Sequence, residues 1–267
     1  MCLIITTSGA NSAIAFPGDE KDDDTQRKII EELTTDQVKR FLDPTLMINR
    51  LPYDFQMSFL PGDAELMTHK TRPWYAINNS NAIWVEIPYM VYSIPDVSGW
   101  TGIGDISVGW GFLIHENLRR RLTTVAAGVD FRLPTGDPAK GTGFDTYLVK
   151  PAVLIATNPT DLFPIYITAR YGHSFGDEGI SVRSFEINVQ TFHILPKGFF
   201  LAFVPNFVWN MEQDFNIFSV ALGLGRALNR RLSLQGAYVQ RVAGEETFSR
   251  GFTLGFNYLW GKDKSSQ

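Results

Sequence analysis

The feature that most restricts what this chain can become is a period-two alternation recurring from about residue 53 to residue 260. Ile83, Val85, Ile87, Tyr89 and Val91 alternate with Trp84, Glu86, Pro88 and Met90. Val125, Ala127, Val129, Phe131 and Leu133 alternate with Thr124, Ala126, Gly128, Asp130 and Arg132, and Phe252, Leu254, Phe256, Tyr258 and Trp260 with Thr253, Gly255, Asn257 and Leu259. Side chains along a strand point to opposite faces in turn, so each stretch has one large apolar face and one mostly small or polar face. Twelve such stretches can be marked, at roughly 53–60, 71–78, 83–92, 103–115, 121–133, 144–157, 163–173, 184–195, 198–210, 214–227, 231–241 and 248–260. The chain is all-β.

A soluble sandwich turns its aromatics inward, whereas a transmembrane barrel turns them toward lipid and keeps small or polar side chains in the lumen. Three further features favour the barrel. Most stretches are long enough to cross a bilayer at a tilt, which takes about 9–11 residues. Trp74, Tyr92, Trp100, Trp209, Tyr258 and Trp260 gather near strand ends, as interfacial girdles do. Loops sort by parity: short connections follow the even strands (79–82, 116–120, 158–162, 196–197, 228–230), and longer ones follow odd strands (61–70, 94–102, 134–143, 174–183). Short periplasmic turns opposite longer outer loops are the expected asymmetry of outer-membrane barrels. The expected fold is an antiparallel transmembrane β-barrel of about 12 strands over residues 51–260, in the outer membrane of a Gram-negative cell.

Composition removes other classes. Lys plus Arg total 24 against 28 Asp plus Glu, a formal net charge of −4, and a nucleic-acid binder should carry a basic excess. The single cysteine, Cys2, excludes a disulfide scaffold and a cysteine-ligated metal site. The sequence implies no cofactor and no metal. Residues 1–15 read as an incomplete signal peptide: uncharged, ending in the small-x-small triplet Ala13-Ile14-Ala15, but with a short apolar part and no preceding Lys or Arg. Residues 16–50 are an acidic and helical segment, in which Ile29, Ile30, Leu33, Val38, Phe41 and Leu42 fall near helical spacing before Asp43-Pro44. Two readings stay open for it, a helix docked on the main domain and a plug in a pore. A polar tail, 261–267, closes the chain.

The last strand carries Gly255, Tyr258 and Trp260 after Thr253, the pattern of a C-terminal signal read by the barrel-insertion machinery, although a tail follows the final aromatic. Gly102-Ile103-Gly104-Asp105 opens one strand, and Leu133-Pro134-Thr135-Gly136-Asp137 closes the next, followed by Gly141-Thr142-Gly143. This pairing resembles the outer-membrane channel family associated with the MetA pathway of phenol degradation, relatives of the FadL-type hydrophobic-compound transporters. The resemblance covers about residues 80–260. It implies a pore-like barrel and, as partner, a small hydrophobic or aromatic solute. On the residues alone, Thr135 to Pro138 form a tight turn, with contact between the rim residues Thr135 and Asp137 and a solute as the second reading.

The polar face carries Glu86, Asp105, Asp130, Arg132, Lys150, Arg170 and Glu186 as candidate pore-lining charges. If the turn at 116–120 sets the register, Asp105 lies opposite Arg132 as an ion pair near the outer mouth. The following turns put Lys150 beside Arg170 and Arg170 near Glu186. Such a band either sets permeation or only satisfies charges inside a narrow barrel. The acidic outer loops (Asp63, Glu65, Asp177, Glu178, Glu212, Asp214, Glu245, Glu246) face solvent or the lipopolysaccharide headgroups, the lipid-side partner of such a barrel; the oligomeric state is left open.

Catalysis is the rival class, together with a structural or adhesion barrel without transport. Among His69, His115, His173 and His193, the only tempting cluster is His173-Ser174 with Asp177. Adjacent residues on a strand face opposite ways, and a nucleophile must reach its base. No Gly-x-Ser-x-Gly, HExxH or phosphate-loop pattern is present. No catalytic residue is expected.

Overall fold

The computed structural model describes residues 35, 37–95, 97–116, 124–176, 181–245 and 247–261. Its strands are β1 Arg50–Phe59, β2 Glu65–Thr71, β3 Trp74–Asn78, β4 Asn81–Ile94, β5 Val97–Ile103, β6 Ser107–Glu116 and β7 Thr124–Arg132. Then follow β8 Tyr147–Thr160, β9 Phe163–Phe175, β10 Arg183–Ile194, β11 Phe199–Asn210, β12 Phe215–Ala227, β13 Leu232–Gly244 and β14 Arg250–Leu259. All pairings are antiparallel, neighbours in sequence are neighbours in space, and β14 pairs with β1 from Arg50↔Leu259 to Phe59↔Arg250. That last ladder closes a barrel of twelve staves, because β2–β3 and β5–β6 are each one stave broken in the middle. Closure removes both sheet edges, the condition for strands in hydrocarbon.

Proline and glycine set the breaks. Pro73 donates no ladder hydrogen bond, yet its carbonyl accepts from Val85 N at 3.2 Å while Arg72 N donates to Pro52 O at 3.0 Å, so the stave stays continuous. At the second break Gly104 N donates to Pro88 O at 2.8 Å. These breaks correct two expectations. Residues 65–70 and 97–102, read as loop from their turn-rich flanks, are strand, and the outer connections there shrink to Leu60–Ala64 and residues 95–96. Loop parity is therefore weaker than the sequence implied. The long connection between β7 and β8, residues 133–146, remains.

The outer face is apolar. Phe131 is 45% exposed and Phe252 47%, with Ile83, Phe203, Leu222 and Leu254 exposed beside them around the cylinder. A continuous apolar belt of this kind has no place in water; facing lipid it is the ordinary exterior of an outer-membrane barrel. The inner face carries Gly, Ala, Ser and Thr with the charged residues between them, so the inversion expected from the alternation is present stave by stave. None of the described helices is long and apolar enough to cross a membrane.

Three assignments to the aromatic girdle are corrected: Tyr92 and Trp100, partners in register and stacked at 5.9 Å between ring centroids, share the inner face with Met90 and Gly102. Trp74 points inward as well, stacked on Trp84 at 4.4 Å between ring centroids and packed beside Met47. Trp209 and Tyr258 do face outward.

Candidate functional site

The lumen divides into two regions. At the end that carries the first residue of β1 and the last of β14, an apolar cluster lines the inner face, Ala156, Tyr166, Phe192, Ile194, Phe200, Ala227 and Leu259, with Arg50, Ser233 and Asn257 beside it. A short helix, α1 (residues 37–42), lies among them. Its Val38 is fully buried, and Phe41 and Leu42 are nearly so, in one cluster with those wall residues. Burying three such side chains is worth roughly 1.5–3 kcal/mol each. The helix is thus docked on the inner wall at this mouth, inside the barrel.

Polar ties fix the helix at the rim. Lys39 Nζ lies 3.3 Å from Asp161 Oδ1 on the β8–β9 turn. The chain then leaves the helix through Asp43, whose side chain accepts from Thr45 N at 2.8 Å and Oγ1 at 2.6 Å, and Pro44 prevents the helix from continuing. Arg50, buried at the start of β1, donates to the carbonyls of Asp43 and Leu46 and stands 5.2 Å over the Trp74 ring. Asn49 Oδ1 accepts from Ala76 N at 2.8 Å, and Asn49 O accepts from Trp260 N at 3.2 Å. Both ends of the barrel chain are thereby stitched to the segment that carries the helix.

Beyond the helix the lumen is polar and charged. Arg72 donates to Glu86 Oε2 through Nε at 2.7 Å and through Nη2 as well. Arg170 Nη1 lies 3.3 Å from Glu186 Oε1, and the two residues are direct cross-strand partners. Lys150 pairs with Asp130 in register and stands one inward position from Arg170, whose own partner on β8 is Ala152. Asp130 is held elsewhere, accepting from Trp84 Nε1 at 2.5 Å. That indole reaches across two staves because the positions beneath it lack side chains; a Cβ on Gly109 would come within 2.1 Å of the ring. Arg72, Asp54 and Trp84 were missed as site residues from the sequence, the first because it sits at a strand break and the last because an inward Trp contradicts the simple pattern.

The expected Asp105–Arg132 ion pair does not form. Arg132 pairs with Ser107, a register displaced by two residues from the expected one, which keeps the face but changes the partner. Asp105 sits in the β5–β6 break, and its carboxylate accepts from Gly136 N and Phe144 N, both at 3.0 Å. It is a loop anchor. Thr135 Oγ1 accepts from Ile106 N at 2.8 Å and donates to Gly104 O at 3.1 Å, and Asp137 N donates to Thr142 Oγ1 at 2.9 Å. A Cβ on Gly102 would meet the Thr142 side chain, and one on Gly104 would meet Met90, Pro88 and Thr142 O, all on the lumen side of the wall. Gly136 and Gly143 lie back to back, with no room for a Cβ on either. The two glycine-rich motifs are therefore one structure: loop 133–146 folded against the inner wall at the mouth opposite the helix. At its tip the exposed Asp137 carboxylate is held below the usual range by a hydrogen bond from Lys140, with Ala139 N donating to it also.

Residues of the other candidate groups are scattered. Gly255 faces inward against Asp54, Tyr258 outward, and Trp260 follows the last strand. His173 is exposed on the outer face and Ser174 faces in, its hydroxyl accepting from Val182 N at 2.7 Å; Asp177 lies outside the described residues. Among the described residues no group of three His, Cys, Asp or Glu is placed to hold a metal ion.

No protein-family model matches the chain, and neither does the sequence of any curated protein. Solved structures do. An outer membrane channel from Pseudomonas putida F1 superposes with a TM-score of 0.64 at 14% identity, covering 80% of this chain and 94% of that one. The KdgM porin gives 0.56 at 9% identity over 79% of this chain and 99% of its own, and the NanC porin 0.55 at 9% over 79% and 100%. At such identities the likeness concerns the fold, and the fold is that of outer-membrane channels and porins.

Proposed function

We propose that this protein is an outer-membrane channel that passes small apolar or aromatic compounds and rests in a closed state. The observation that carries the reading is the division of the lumen: a polar, charged interior that needs water, shut at one end by a helix held largely by apolar side chains. A closed resting state is supported by α1, whose Val38, Phe41 and Leu42 pack inside this mouth in one cluster with Tyr166, Phe192 and Phe200. The solute class rests on the resemblance carried by residues 102–105 and 133–143. Insertion through the barrel-assembly machinery, with Gly255, Tyr258 and Trp260 as the signal and lipopolysaccharide around the outer rim, belongs to the same reading.

Purified protein in a planar bilayer tests it. Brief, rare current steps are expected without solute, becoming longer or more frequent with an aromatic compound. A tight membrane under every condition, from protein that still migrates anomalously when unboiled, refutes the channel.

A further inference from the structure

On the β11–β14 wall, charge is sorted by end. Residues 187–211, 215–244 and 247–260 contain no Asp or Glu. The exposed carboxylates beside these strands lie beyond their outer ends, Glu212 and Asp214 between β11 and β12 and Glu245 after β13. At the opposite end, which the short turns mark as periplasmic, the exposed charges are cations. Lys197 is on the β10–β11 turn, Arg226 is near the end of β12, and Arg230 and Arg231 are on the β12–β13 turn. Among the described residues none of the four has an ion-pair partner within 4.0 Å. Backbone contacts hold this cluster together. Arg226 Nε donates to Lys197 O at 3.3 Å, and its guanidinium lies 4.7 Å over the Phe199 ring. Leu228 N donates to Leu232 O at 2.8 Å, and Asn229 Oδ1 accepts from Arg231 N at 2.8 Å and Leu232 N at 3.0 Å, which fixes the turn.

An apolar groove begins beside these cations on the lipid face. Arg226 points outward in line with Leu224 and Leu222, the next two outward positions of β12. Its partner on β13 is Leu234, and the next outward pair is Leu224↔Gly236. Gly236 forms the floor of an open groove of about 580 Å³ whose walls are the exposed Leu222, Leu224, Tyr238, Phe252 and Leu254. The groove therefore starts one outward position, about 7 Å along the strand, from Arg226. A guanidinium whose stem lies on apolar surface and whose head reaches the interface meets a headgroup phosphate, and unpaired cations at a membrane surface attract anionic lipid. We propose that this face binds an anionic phospholipid of the periplasmic leaflet, its phosphate on Arg226, Lys197 and the Arg230–Arg231 turn and one acyl chain over Gly236. A zwitterionic lipid carries its own cation beside the phosphate and loses most of that attraction. The site needs the barrel's place in the outer membrane and is independent of the channel reading.

Native mass spectrometry of the full-length protein released from detergent, with dioleoyl phosphatidylglycerol or dioleoyl phosphatidylcholine added, tests the site. One saturable phosphatidylglycerol is expected, bound at least tenfold more tightly than phosphatidylcholine with the same chains. Combining Arg226→Gln, Arg230→Gln and Arg231→Gln should weaken it at least tenfold, and Gly236→Leu, which fills the groove, several-fold. Arg250→Gln is the control: that cation also lies over a ring, 5.2 Å from Phe59, but at the outer end of β14, and its loss should leave binding as in wild type. The proposal is overturned if the two lipids bind alike, or if the triple variant, still heat-modifiable on a gel, binds as wild type. It is equally overturned if Arg250→Gln weakens binding as much as the triple variant does. Glycerophosphate, the head without the chains, binding as tightly as the lipid would make this a free-anion site. Polyglutamate binding more tightly than the lipid would make it a surface for an acidic protein, and either result also overturns the lipid.

Discussion

The two ends of this lumen are built from one alternation and opposite chemistry. At the plugged end the inward positions are Ala156, Tyr166, Phe192, Phe200 and Leu259; at the other they are Glu86, Asp130, Arg132, Lys150 and Glu186. The first set makes a dry core with α1 inside it, the kind of packing a soluble protein has. The second leaves charged groups facing one another and needing water or a solute. A barrel sealed by apolar contact can be unsealed by losing that contact, while a charged lining cannot hold a mouth closed by itself. On the proposed reading this is a division of labour: one end would decide whether the pore is shut, the other what enters.

Removing Phe41 should break the comparison most sharply. Truncating a buried Phe costs about 3–5 kcal/mol, and every 1.4 kcal/mol is a factor of ten in an equilibrium. If even half of that falls on docking of α1, the undocked fraction rises more than tenfold. Phe41→Ala should therefore turn rare current steps into frequent ones in a planar bilayer. An unchanged record would mean that something other than the helix closes the mouth.

A matched pair sharpens it. A Cβ on Gly225 would lie 2.1 Å from the Phe200 ring in the plug's wall, and one on Gly109 would lie 2.1 Å from the Trp84 ring in the polar region. Overpacking costs roughly 1–3 kcal/mol at either site. Gly225→Val displaces a ring that contacts the plug cluster and should raise channel activity several-fold; Gly109→Val should lower thermal stability alike and leave activity near that of wild type. Equal activity in both would show that the two regions are not separable.

How far could this be seen in the sequence? The facing of the staves was legible because a strand's period is two and lipid tolerates few exceptions, so Phe131 and Phe252 point where the alternation puts them. The plug's apolar stripe, Val38, Phe41 and Leu42, was legible as a helix but not its address, since periodicity names a buried face without naming what covers it. Partners within the lumen were least legible. They depend on register, and a turn of unknown length moved Arg132 from Asp105 to Ser107. Strand breaks hid β2 and β5: residues 61–70 and 94–102 read as loops, and Gly104-Asp105, where the break falls, read as the opening of a strand.

The smallest expected effect lies at the open mouth, where Asp105 ties loop 133–146 to the wall. Asp105→Ala leaves the Gly136 and Phe144 amides without their acceptor, at about 1–3 kcal/mol for a buried donor. Thr135 still bridges Ile106 N and Gly104 O, so the loop should loosen and not detach. Resting current should change by less than about twofold, because the plug 's contacts lie at the other end of the barrel. The sensitive readout is cleavage by trypsin after Lys140, an exposed residue at the loop tip, which should become several-fold faster with the barrel still heat-modifiable. Unaltered cleavage would mean that Thr135 and the Gly136–Gly143 contact hold the loop without Asp105. A large rise in resting current would mean that the mouth, too, takes part in closure, and the separation of the two ends would fail.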